Sequence, residues 1–118
     1  MTSKELNLKL IQNISEVKDK YIEETSWQDG DDTGSHVVFA DVLVPYTKEQ
    51  MLKNHKEAVE RVFTFIEDML DLDDEYVNEV IALSVIESLI FESEVKDKML
   101  FKYVKPKTLK LVQELKNY

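Results

Sequence analysis

An all-α fold, an antiparallel bundle of about five or six helices, is predicted by three observations. Only two glycines and two prolines occur in 118 residues, and a third of the residues are charged. Apolar residues recur at steps of three and four through most of the chain. Such a composition disfavours a turn-rich β fold, and such spacing puts the apolar residues on one helical face. The length suits a single domain spanning 1–118, with one core and no need of covalent staples.

The first segment reads as one long amphipathic helix. Leu6, Leu10, Ile14, Val17 and Tyr21 share a face, Ile11 and Ile22 widen it, and Thr2 or Ser3 is a suitable N-cap. Residues 25–35 form a long polar loop that carries both glycines, Gly30 and Gly34, together with the single tryptophan, Trp27. His36 to Tyr46 has strong β propensity. A short helix is favoured there, because Val38/Val42 and Phe39/Leu43 pair at four-residue spacing, Ser35 can cap and Pro45 can stop it.

Thr47-Lys48-Glu49-Gln50 has the form of a capping box, and Leu52, His55, Val59, Val62, Ile66 and Met69 mark the face of the helix that follows. Asp71-Leu72-Asp73-Asp74-Glu75 combines a break with a new start, since acids suit the positive end of a helix dipole. From about Asp74 to Phe91 the pattern is apolar nearly all round, which belongs to a central helix. Ser93 is a candidate cap for a short helix with Val95, Met99, Leu100 and Tyr103. Pro106 fits the first position of a last helix, with Leu109, Val112 and Leu115 turned inward. The later helices could also stack as successive pairs, as in α-solenoids.

Charge is sorted along the chain. Residues 1–95 hold 8 Lys+Arg against 22 Asp+Glu, and residues 96–118 hold 7 Lys against 2 acids. A surface of this kind attracts a basic protein and repels nucleic acid. The lysines at 96, 98, 102, 105, 107 and 110 are read as an intramolecular counter-charge rather than a nucleic-acid footprint, with only Phe101 and Tyr103 interleaved.

Cysteine is absent, which excludes disulfides and Cys-based zinc sites and accords with a cytoplasmic location. Met1-Thr2-Ser3-Lys4-Glu5 has no secretory pattern, and no apolar run reaches the length of a membrane span.

Asp29, Asp31, Thr33 and Ser35 place oxygens at the first, third, fifth and seventh positions of a calcium-type loop. Ala40 stands where its closing carboxylate belongs, so the segment reads as a solvated acidic loop. Trp27 reads first as a core anchor for that loop. Its alternative is an exposed hot spot ringed by carboxylates. His36, His55 and Asp41 lack metal-ligand spacing, and His55 reads as a satisfied core or boundary histidine on an apolar face. Glu67, Asp68, Asp71, Asp73, Asp74 and Glu75 form the densest acidic cluster.

Residues 36–46 (HVVFADVLVPY), the helix with Val62-Phe63-Thr64-Phe65-Ile66-Glu67-Asp68-Met69, Asp73-Asp74-Glu75-Tyr76-Val77 and Pro106-Lys107-Thr108-Leu109 together resemble a group of small bacterial all-helical proteins. That group is similar to the immunity factors encoded beside toxins. The resemblance spans about residues 36–115 and implies an all-helical fold without catalytic residues.

The expectation is a non-enzymatic, cytoplasmic immunity or antitoxin-like inhibitor of a basic, nuclease-type toxin, with a small helical adaptor as the alternative. Its contacts would be Trp27, Asp29, Asp31 and Asp32, and Glu67, Asp68, Asp71, Asp73, Asp74 and Glu75. No catalytic residue, metal, cofactor, nucleic acid or membrane is expected.

Overall fold

The fold is built by seven helices in a computed structural model that describes residues 1–92 and 94–117; no strand occurs among them. They are α1 (Ser3–Asn13), α2 (15–25), α3 (35–52), α4 (Lys56–Asp71), α5 (75–90), α6 (Asp97–Tyr103) and α7 (Pro106–Lys116). The all-α class is as the sequence predicts. The number exceeds five or six because the first expected helix is broken in two; a second break, at 53–55, only moves residues 47–52 into the helix before it. The cap assigned to Ser93 lies outside the described residues.

The first break is at Ile14, where ψ turns to 72° and separates α1 from α2. Asn13 and Ser15 flank it, residues whose side chains compete with the helical backbone. Asn13 donates to the Lys9 carbonyl at 2.8 Å. The break leaves the expected face intact: Leu6, Leu10, Ile14, Val17 and Tyr21 are all buried, whereas Ile22 is exposed. At the start of α1, Thr2 and Glu5 cap each other reciprocally.

The second break is at 53–55. Asn54 has φ of 58°, the His55 amide donates to Gln50 O, and the Asn54 amide donates to Met51 O. These bonds make a Schellman closure, with Asn in the left-handed position that glycine usually fills. The expected helical face through Leu52 and His55 is therefore wrong, since both are exposed. His55 Nδ1 instead lies 2.7 Å from Gln50 Oε1. The expected capping box is overturned with it. Thr47 is buried in mid-helix, and its hydroxyl donates to Leu43 O at 2.8 Å.

Residues 36–46 are helical, yet Pro45 does not stop them. Residues Phe39–Leu43 widen into a π turn, with the Val44 amide reaching Phe39 O, and the helix runs on to Leu52. The wider turn relieves the clash between the proline ring and the preceding carbonyls. A second π turn, Val80–Ile86, lies in α5. Val80, Ile81, Ser84, Val85 and Ile86 are neighbours in sequence yet all buried, which a widened turn allows.

The two π segments pack against each other. His36, near the start of α3, lies 2.7 Å from Ser84 and edge-on to Tyr76, while Lys48, near its end, reaches Glu92 just past α5. Helices α3 and α5 therefore run parallel, and α4 returns antiparallel between them in sequence. Phe39 of α3 packs on Phe65 of α4, Phe63 stacks on Tyr103 of α6, and α7 lies against α4 and α5.

A buried polar hub ties the front of the molecule together. Asn7 is fully buried in α1. Its amide donates to the carbonyls of Asp31 (3.0 Å) and Thr33 (2.7 Å), and its oxygen accepts from the Ser35 hydroxyl at 2.8 Å. The Ser35 amide in turn donates to Tyr76, whose hydroxyl lies 2.6 Å from that of Ser3. Truncating Asn7 to alanine strands two carbonyls and a hydroxyl in the interior. Urea unfolding of Asn7→Ala is expected to show a loss of about 2–4 kcal/mol with an unchanged m-value.

Candidate functional site

The loop after α2 carries the single tryptophan and the first acidic segment. Helix α2 ends at Thr25, whose hydroxyl donates to Tyr21 O at 2.8 Å. The chain then turns through Trp27 into a 3-10 turn, Gly30–Asp32, entered at Gly30 with φ of 58°. Most side chains would be strained there, so glycine is favoured.

Thr33 closes the turn, donating through its hydroxyl to Gly30 O (2.7 Å) and accepting from the Asp29 amide (3.2 Å). The Tyr21 hydroxyl donates to Asp31 Oδ1 at 2.6 Å. Burial, reinforced by that carboxylate, pushes the Tyr21 phenol far above its ordinary value. Together with the two Asn7 bonds, these contacts make the loop a rigid platform.

Trp27 stands on that platform with 73% of its surface exposed. The core-anchor reading is thus overturned. Tyr21, 2% exposed, occupies the interior beneath the loop, and hydrogen bonds to Asn7 do the anchoring. Asp29 and Asp32 are exposed and have no ion-pair partner among the described residues. The calcium-like oxygens do not converge. Asp31 accepts from Tyr21, Thr33 donates to Gly30 and Ser35 to Asn7. Among the described residues no cluster of three His, Cys, Asp or Glu could hold a metal ion.

The second acidic segment divides into internal and external carboxylates. Glu67 caps α7 from outside, accepting from the Lys107 amide (2.8 Å), the Thr108 amide (3.1 Å) and the Thr108 hydroxyl (2.9 Å). This satisfies amides that a helix start leaves open. Asp71 pairs with Lys107 Nζ at 2.8 Å. Asp74 accepts from the Val77 amide at the start of α5 and from the Met1 ammonium at 2.6 Å, which holds its carboxyl below the ordinary range. Asp68, Asp73 and Glu75 face solvent.

The start of α1 touches both acidic segments, Met1 at Asp74 and Asn7 at Asp31. The hydrogen-bond chain from Asp31 through Asn7, Ser35 and Tyr76 joins them. Their juxtaposition was not visible in the spacing of the chain. Nor was the role of Asn7, although a lone amide on the apolar face of α1 was a signal. Of the lysines read as counter-charge, Lys107 pairs with the acidic body, at Asp71, whereas the Lys116–Asp97 pair lies within the basic segment itself.

Two measurements test these assignments. Glu67→Ala should cost about 1–2 kcal/mol and raise hydrogen exchange at the Lys107 and Thr108 amides, because the start of α7 loses its acceptor. For Tyr21, the folded phenol titrates above the unfolded value of 10.0, so its stabilising contribution is full below that pH and is lost as pH rises through the raised value. Absorbance titration should therefore show one phenol that ionises only on unfolding, absent in Tyr21→Phe.

No helix among the described residues is long and apolar enough to cross a membrane. No curated protein and no solved structure matches the chain. The family known as Domain of unknown function (DUF7674) matches residues 7–118, nearly the whole domain, and the chain belongs to that family.

Proposed function

We propose that the protein is a non-catalytic, cytoplasmic binding protein of the immunity or antitoxin type, which inhibits a basic, nuclease-type toxin by seating the Trp27 loop in its cationic cleft. The observation that carries this reading is the exposed indole on a loop held by buried hydrogen bonds, with the unpaired carboxylates of Asp29 and Asp32 beside it. A rigid aromatic loses little freedom on binding, and an unpaired carboxylate needs no internal ion pair to be broken. The resemblance of residues 36–115 to toxin-associated proteins supports the kind of partner.

Within the contact set expected from sequence, the loop takes the larger share. Glu67, Asp71 and Asp74 already serve the fold, which leaves Asp68, Asp73 and Glu75 as supporting charges for steering.

Co-expression with the product of the neighbouring gene, followed by affinity capture and kinetics on the purified pair, tests the reading. Trp27→Ala should weaken binding by about 30-fold or more, mainly in dissociation. Asp29→Asn/Asp32→Asn should slow association by about tenfold at low salt, and less at high salt. A complex that forms equally well with both variants would rule out the loop. A partner without toxin activity would point to the adaptor role.

A further inference from the structure

A second surface, separate from the Trp27 loop, lies along the parallel pair α3 and α5. The His36–Ser84 contact marks their seam. Because the helices run in the same direction, one step forward on α3 and one step back on α5 turn to the same side of that seam. Those residues are Val37 and Leu83, exposed by 39% and 49%.

The stripe continues at steps of about four. On α5 it runs through Glu79, Leu83 and Glu87 to Phe91 just past its end, the last 73% exposed. On α3 it runs from Val37 through Asp41 and Val44 to Lys48 and Leu52. Ala40, half-buried one turn beyond His36, keeps the floor of the seam shallow.

Two further observations single out this face. Both helices carry a π turn here and the two turns abut, an arrangement that gives up regular α-helical bonding at one shared place. The rim is acidic, with Asp41 on one helix and Glu79 and Glu87 on the other. The cation on it, Lys48, is held by Glu94 at 2.9 Å and Glu92 at 3.3 Å.

We propose that the seam of α3 and α5 is a docking groove for a basic amphipathic helix of a partner protein, whose apolar side covers Val37, Leu83 and Phe91 while its lysines or arginines meet Asp41, Glu79 and Glu87. A second copy of this chain is a poor occupant, since two strongly acidic bodies would meet across an acidic rim. Its basic helix α7 is already docked through the buried Val112. The site is independent of the Trp27 loop, and either surface can fail without the other.

The test uses the full chain, isotopically labelled, and a designed amphipathic helix of about 16 residues with a leucine face flanked by lysines. That length matches the roughly 22 Å from Val37 to Leu52. A scrambled peptide of identical composition controls for bulk charge. Saturable amide shifts are expected at Val37, Ala40, Leu83, Glu87 and Phe91. Affinity should fall at least about tenfold for the scrambled peptide, and equally for Leu83→Glu and Val37→Glu, with Trp27→Ala unaffected. Both charged substitutions replace solvent-exposed side chains, and circular dichroism verifies that they remain folded. Shifts confined to the Trp27 loop, equal binding of the scrambled peptide, or a homodimer of the free protein dissolved by Leu83→Glu would each overturn the proposal.

Discussion

The buried amide of Asn7 is the constraint on which the rest of the front face depends. A loop of polar residues crossing the surface must find partners for its carbonyls, and water cannot reach those beneath it. Asn7 supplies two donors and an acceptor from inside an apolar stripe, and every one is used. An isolated amide in that position would cost more than it contributes. Fully satisfied, it sets the height of the 3-10 turn, the start of α3 through Ser35 and, by way of Tyr76, the start of α5. The exposure of Trp27 follows from it: a loop already held by hydrogen bonds and by Tyr21 does not need its indole inside.

Acidic residues in this chain serve two purposes. Glu67, Asp74 and Asp31 are acceptors at a helix start, a helix start and a buried phenol respectively. Such bonds are directional and partly shielded, so they retain value where exposed ion pairs contribute little. Lys53–Glu49 and Lys20–Glu24 are of the exposed kind and are screened by solvent. Among the other carboxylates, Asp29, Asp32, Asp68, Asp73 and Glu75 are exposed and carry no such internal role. Their mutual repulsion is tolerated by the fold rather than required by it.

The π turns show how local sequence and packing meet. Pro45 gives a local reason for the first. The second has no proline, and its cause is tertiary: five adjacent or near-adjacent side chains are all claimed by the core, more than one face of a regular helix can deliver. Their contact lays α3 and α5 side by side, with Val37 and Leu83 exposed.

Periodicity by itself determined the all-α class, the buried stripe from Leu6 to Tyr21, the inward face of α4, the central apolar helix, the junction at 71–75 and the helix start at Pro106, because spacing on a helix is a local property. The breaks at Ile14 and Asn54 also had local signals, in Asn13, Ser15 and the left-handed preference of Asn54. The stronger apolar pattern across them masked both, as it placed Leu52 and His55 on a face they do not share. Only the tertiary structure decided that Pro45 is absorbed rather than obeyed, that Thr47 bonds backward instead of capping, that Trp27 points outward, and that acids 40 residues apart divide between helix starts and solvent. Each of these depends on which distant group satisfies a hydrogen bond or fills a volume, and no window of sequence contains that partner.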